Sequence, residues 1–298
     1  MGTFLCLSKR NLKLYFKDKG AFFPSLITPV ILLVLYATFL ANVYRDGFVS
    51  AFPEGFAPDE KIIGAAVAGQ LISSLLAVSC VTVAFCANLL MISDKANGSI
   101  RDLTVTPVKR SVIASSYFAA SFVSTLIITF TAMAICFVYL IFKGWYLSFA
   151  DVACVVLDVI LLTLFGTSLS SCIHFFLSSN GQASAVATIV SSGYGFICGA
   201  YMPISSFPVG LQKVLGFLPG TYGTALLKSH LLRGAFAEME TQGFPDDAMN
   251  GIRQAVDCDV SFFGHTVTPG MMYLVVIAAV MLFTLIYVAL NKIKRIKH

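Results

Sequence analysis

"SDKANGSIRDLTVTPVKRS", residues 93–111, decides how the rest of the chain is read. It is polar and charged, and Asn97-Gly98 and Pro107 punctuate it. Long apolar runs flank it at about 62–92 and about 112–142. Each exceeds the roughly 20 residues that a helix needs to cross a bilayer. Two such helices joined by a short charged loop form a membrane hairpin. Composition extends that reading to the whole chain. Of 298 residues, 57% are hydrophobic and 12% charged, whereas soluble domains carry about 25% charged residues. Mean hydropathy is +0.85. The expected fold class is an all-α polytopic membrane protein forming one membrane domain over residues 1–298.

Working outward, six segments are apolar enough to span: about 22–41, 62–92, 112–142, 150–177, 183–201 and 271–290. An even number puts both termini on one side, and charge chooses the side. Lys9, Arg10, Lys13, Lys17 and Lys19 precede the first span. Lys95, Arg101, Lys109 and Arg110 lie in the opening stretch, and Lys292, Lys294, Arg295 and Lys297 close the chain. The other connections hold most of the acids: Asp46, Glu54, Asp59, Glu60, Glu238, Glu240, Asp246, Asp247, Asp257 and Asp259. The positive-inside rule then makes both termini and residues 93–111 cytoplasmic. The second and third spans are long enough to tilt or to project beyond the membrane.

Residues 5–20 read as an amphipathic helix lying on the membrane, with Lys9, Arg10, Lys13 and Lys17 as a basic stripe facing anionic headgroups. Residues 202–234 are too apolar for a free loop and are broken by Pro203, Pro208 and Pro219. Two short re-entrant helices packed in protein fit that pattern. Residues 235–269 are polar and acidic, which suits an external cap with a helix starting near Pro245. Trp145, Tyr146 and Phe149 fit an interfacial aromatic belt.

Within 93–111 the residues predict a helix of about two turns. Ser99 followed by Asp102 imitates a capping box, and Pro107 ends the element. Ile100, Leu103 and Thr104 share one face. An apolar knob ringed by charge reads either as a docking element or as an ordinary turn anchoring the next span.

The chain resembles the membrane subunit of the type-2 ABC exporter permeases. The residues that carry the resemblance are the opening "KRNLKLYFKDKGAFF", then Asp94, Gly98, Ile100–Val105 and Thr106-Pro107-Val108-Lys109-Arg110 between spans two and three, and the later "YMPISSFPVGLQKVLGFLPGTYGTALL". The family often has Glu where this chain has Asp94 and Asp102. The resemblance implies an elbow helix, and a coupling helix seated in a groove of a separate ABC ATPase, with Asp94, Gly98, Ile100, Arg101, Asp102, Leu103, Thr106 and Pro107 as its docking residues. It implies alternating access, two half-transporters as a homodimer or heterodimer, and outward movement of cargo. Phenylalanine-rich composition favours an amphipathic or hydrophobic cargo. ATP and Mg would belong to the partner subunit, because this chain has no G-x-x-x-x-G-K-[ST] phosphate loop. No enzyme activity, cofactor, metal or nucleic-acid partner is expected of the chain itself. The expected setting is a bacterial inner (cell) membrane.

For the pathway, Asp158 is an acid deep in an apolar run, a cost usually accepted for function. It reads as a cation or proton contact, or as a hydrogen-bonded residue at a helix contact. Ser192, Tyr194, Phe196 and Tyr201 lie in or just beyond a fifth span rich in small residues, which in the resembling family flanks the central pathway. The competing reading is an ATP-independent secondary transporter or channel that uses Asp158 and His174 as ion contacts. Eight cysteines show no metal-ligand spacing. Seven lie in or beside apolar segments as small hydrophobes, and Cys258 lies in a polar one.

Overall fold

The structure, a computed structural model, describes residues 2–50, 59–262 and 265–293. Glu54, Lys294, Arg295 and Lys297 lie outside the described residues. The helices run, in chain order, α1 (Gly2–Lys17), α2 (Lys19–Leu35), α3 (Ala41–Ser50), α4 (Glu60–Ala87), α5 (Leu89–Ala96), α6 (Ser99–Val105), α7 (Arg110–Lys143), α8 (Phe149–Phe176), α9 (Asn180–Ile197), α10 (Val209–Leu215), α11 (Pro219–Thr241), α12 (Asp246–Ala255) and α13 (Pro269–Ile293). A π-helical turn, Tyr36–Leu40, joins α2 to α3. A two-residue hairpin pairs Ser261 with Thr266 and Phe262 with His265.

The chain is a multi-pass integral membrane protein. Among the described residues, five helical stretches are long and apolar enough to cross a membrane: Phe22–Asp46, Glu60–Ala96, Arg110–Lys143, Phe149–Phe176 and Pro269–Ile293. These match five of the six expected spans. The expected fifth span, 183–201, corresponds to α9, which is not among them. Its 18 residues open on Asn180 and Gln182 and include Ser184, Thr188, Ser191, Ser192, Gly193 and Gly195, so small and polar side chains dilute its apolarity.

α4 forms the core. It is apolar all round, with small residues throughout, and nearly every residue from Ile62 to Phe85 is buried. A helix without a polar face belongs inside a bundle; α2, α7, α8, α9 and α11 pack around it. α2 and α13 instead keep apolar faces open, including Ile31, Val34 and Leu35 on α2 and Leu274, Met281 and Leu285 on α13. α7 has 34 residues, about 51 Å at 1.5 Å per residue, against a hydrocarbon core of about 30 Å. It therefore extends well beyond one bilayer thickness.

The 202–234 segment differs in detail from two short helices. α10 has 7 residues and α11 has 23, running on to Thr241. Close contacts place both along the bundle. Ala183, near the start of α9, packs with Met91, Ile92 and Ile113 at the α5 end. Tyr194, near the end of α9, lies against Gly220 at the start of α11. Gly223 lies against Leu162, midway along α8, and a Cβ at Gly234 would collide with the Tyr146 carbonyl oxygen just before α8 begins. Thus α9 runs from the α5 end towards mid-α8, and α11 runs from there to the start of α8.

Capping follows local chemistry. At the start of α8, Ser148 and Asp151 form a full reciprocal capping box. The box expected at Ser99–Asp102 does not form: Gly98 is the N-cap and no side chain caps α6. Gly98 has φ +80°, a left-handed turn between α5 and α6 that glycine adopts without steric cost. That turn makes Gly98, not Ser99, the residue before the helix.

Candidate functional site

One end of the bundle is built around α6. Asp94, on α5, is buried there. Its carboxylate accepts hydrogen bonds from Arg10 Nη1 of α1 at 2.7 Å and from the Tyr117 hydroxyl of α7. Partial burial alone would lower the Arg10 pKa; the hydrogen bond and charge of Asp94 outweigh it, and the net direction is up. Asp94 therefore faces inward and ties three helices together. Arg10 leaves the expected basic stripe for the same reason, while Lys9, Lys13 and Lys17 stay exposed. At the adjacent position of α5, Lys95 Nζ donates to the carbonyls of His174, Phe175 and Leu177 at 3.0, 3.1 and 3.2 Å. An ammonium on the C-terminal carbonyls of α8 meets the negative end of that helix dipole.

α6 itself is oriented differently from the expected knob. Ile100 and Leu103 are half-buried and pack on the cluster of Met91, Ile92, Ile113 and Tyr117. The outward face holds Arg101, Asp102, Val105, Thr106 and Pro107, with Val105 87% exposed. A seven-residue helix cannot hold itself in water. Turning its two largest apolar residues onto the bundle supplies the packing it lacks.

At the other end lie two polar clusters. Asp158 on α8 is fully buried, with His230 Nδ1 of α11 at 2.6 Å and the Tyr273 hydroxyl of α13 at 2.5 Å. This is the helix-contact geometry. His174 is 16 residues further along α8, about 24 Å away at 1.5 Å per residue, with Nδ1 on the Ser170 carbonyl of its own helix. Asp158 and His174 therefore do not form one ion site. Lys228 on α11 is buried, donates to the Gly199 carbonyl at 2.9 Å and lies 3.6 Å from Asp257. Asp257, in a left-handed conformation, accepts from the backbone N–H groups of Ile204 and Ser205. This pair pins α11, the turn after α9 and the α12 segment together. Cys258 beside it is free and buried, and burial pushes its thiol up to about 12.

The pathway candidates separate. Ser192 and Phe196 lie on the exposed stripe of α9, and Tyr201 is half-buried with its ring 5.2 Å from Phe196 and 6.4 Å from Tyr36. Tyr194 points the opposite way, buried against α11, and Asp158 belongs to the α8–α11–α13 contact. The sequence reading did not single out His230, Tyr273, Lys228 or Asn88. Asn88, at the break between α4 and α5, contacts Ser121, Ser170 and Ser171. The available signal was a cation or polar group inside an apolar run, as in "TALLKSHLLRG", but not its partner 29 to 115 residues away. Among the described residues no three His, Cys, Asp or Glu side chains gather as metal ligands.

No curated protein matches the chain. The family model for ABC-2 type transporters matches residues 3–232, from α1 through most of α11. Five membrane-length helices, a polar segment between the second and third, and that match over most of the chain lead to one conclusion: the protein belongs to the ABC-2 type transporter family and serves transport across a membrane.

Proposed function

We propose that the chain is the transmembrane half of an ATP-driven exporter, with ATP and Mg held by separate ABC ATPase subunits. The observation that carries this reading is the mounting of α6. Its outward face offers Arg101, Asp102, Val105, Thr106 and Pro107. Its inner face packs through Ile100 and Leu103 on α5 and α7. α5 is in turn bonded to α1 and α7 through Asp94, and to α8 through Lys95. A push on α6 is thus shared among four helices. That is how a lever without its own motor transmits force, and ATP drives the change only through the partner's differential affinity for the two states.

α9 and α11 together make one composite crossing, α9 from the α5 end to mid-α8 and α11 onward to the start of α8. With the five long helices this gives six crossings and puts both termini on one side. The α6 end carries Lys95, Arg101, Lys109 and Arg110, with Lys9, Lys13 and Lys17 of α1 nearby, whereas the cap end carries Glu238, Glu240, Asp257 and Asp259. The positive-inside rule makes the α6 end cytoplasmic and α1 an elbow on the inner surface, here of a bacterial cell membrane. Residues 235–269 then form the external cap.

A second permease chain, identical or homologous, covers the exposed stripe of α9 and the open face of α2. Ser192, Phe196 and Tyr201 then line the shared pathway, and its apolar walls suit an amphipathic or hydrophobic cargo carried outward. Tyr194 and Asp158 act from behind that surface by holding α11.

The test is Val105→Asp. The permease should fold normally yet lose its ATPase in co-purification and lose transport in proteoliposomes. Retention of both would remove α6 as the docking element.

A further inference from the structure

A cavity of about 530 Å³ opens between the start of α7 and the end of α13. Ala114, Phe118, Tyr287 and Val288 line its interior, and Lys109, Arg110 and Lys292 converge on its mouth. Among the described residues none of these three cations has a carboxylate partner, unlike Arg10, Arg45 and Arg253. No acid lines the cavity. A second cavity of about 480 Å³ shares Thr104, Arg110, Ala114, Tyr287 and Asn291 and brings Arg101 to the same rim.

We propose that this groove holds the headgroup and upper acyl chain of one anionic phospholipid from the cytoplasmic leaflet. Three observations choose that occupant. The mouth is cationic and unopposed, so it complements a phosphate diester. The groove follows both helices for about 12 Å, from Arg110 to Phe118 and from Lys292 to Thr284, at 1.5 Å per residue. Both helices are membrane-length, so the groove descends from the basic rim into the depth where acyl chains lie. A cytosolic protein could reach the rim but could not follow the groove into the bilayer. The volume lies within the roughly 300–1,000 Å³ typical of ligand sites. The site meets α6 at Thr104 and, on its rim, Arg101, but it lies apart from the α9 stripe, and it requires neither the docking partner nor the cargo. A lipid seated there would brace α13 against α7 beside the segment that carries α6.

The experiment uses the full chain, purified alone in detergent, with palmitoyl-oleoyl phosphatidylglycerol or phosphatidylcholine added at equal concentration. Retained lipid is counted by native mass spectrometry. One phosphatidylglycerol should be kept in preference to phosphatidylcholine, and millimolar inorganic phosphate should not displace it. Each basic side chain near an anionic surface contributes about fivefold in binding, so Lys109→Gln with Lys292→Gln should weaken retention at least tenfold. Ser115→Trp, on the exposed wall of the groove, should abolish it. Lys61→Gln with Lys143→Gln, matched in charge at the opposite end, should leave it intact. Equal retention of the two lipids, or equal loss in the Lys61/Lys143 variant, would overturn the site. Displacement by phosphate would reassign it to a free anion. Unchanged lipid retention in Ser115→Trp would likewise overturn the site. Should Ser115→Trp fail to fold, the two exposed charge substitutions decide alone.

Discussion

Asp94 and Asp158 sit near opposite ends of the bundle, and each joins three helices. Asp94 ties α5 to α1 and α7; Asp158 ties α8 to α11 and α13. They differ in what surrounds them. Asp94 has a cationic partner whose side chain is 32% exposed, so water still screens the pair. Asp158 has no exposed side-chain surface and relies on an imidazole and a phenol. A half-wet pair can be broken and remade at modest cost, whereas a dry one fixes its helices. On this comparison the α6 end is the adjustable end and the α8–α11–α13 contact is the anchor. The Lys228–Asp257 pair, with the Lys228 side chain only 1% exposed, extends that anchor to the turn after α9 and to the cap.

Substitutions at the two ends test that contrast. Lys228→Ala should have the largest effect. It leaves Asp257 without its cation and the Gly199 carbonyl without its donor, and removing one partner of a buried pair costs about 3–5 kcal/mol. A thermal-unfolding scan in detergent reads it; a change below 1 kcal/mol would show that the pair does not anchor α11. Asp158→Ala should cost about 2–3 kcal/mol by orphaning two donors, and Asp158→Asn clearly less, because an amide still accepts from Tyr273. Uphill transport separates mechanisms in the same variant: an ATP-driven permease keeps activity in Asp158→Asn, while a proton-driven carrier loses it.

Asp94→Ala should cost about 1–2 kcal/mol, a charged hydrogen bond discounted for the exposure of Arg10. Its more telling result is local. Limited proteolysis should cut near α1 faster, without a matching change near α11. If both ends loosen equally, the adjustable-end assignment fails. Smallest in stability is Val105→Asp, within about 0.5 kcal/mol as an exposed change, against Leu103→Asp, which should destabilise the Met91–Ile113 cluster by 1 kcal/mol or more. A final check concerns Cys258. Its thiol is pushed up to about 12 by burial, so it stays protonated through pH 9, while an ordinary thiol near 8.5 ionises. Maleimide labelling of Cys258 in the folded protein should therefore remain negligible from pH 7 to 9 and appear only on denaturation.

Much of this architecture was legible in single stretches of sequence, where apolar length alone carries the signal. Five spans, the amphipathic helix at the N-terminus and the short helix after Gly98 all follow from local composition. What misled was facing. Ile100 and Leu103 were expected to look outward as an exposed knob, yet a seven-residue helix gains order only by packing them inward. Arg10 shares a helix with Lys9 and Lys13, but a buried carboxylate 84 residues away draws it off their stripe.

Membrane residence, the approximate positions of the spans and the charge of each loop can all be read along the chain, because hydropathy and charge are properties of sequence neighbours. It took the folded molecule to show that Asp158 meets His230 and Tyr273, that Lys228 meets Asp257, that the end of α9 meets the start of α11, and that three cations converge on one groove. Those pairings depend on how separate helices settle against each other. A buried charge dictates that some partner must exist, but packing selects which one.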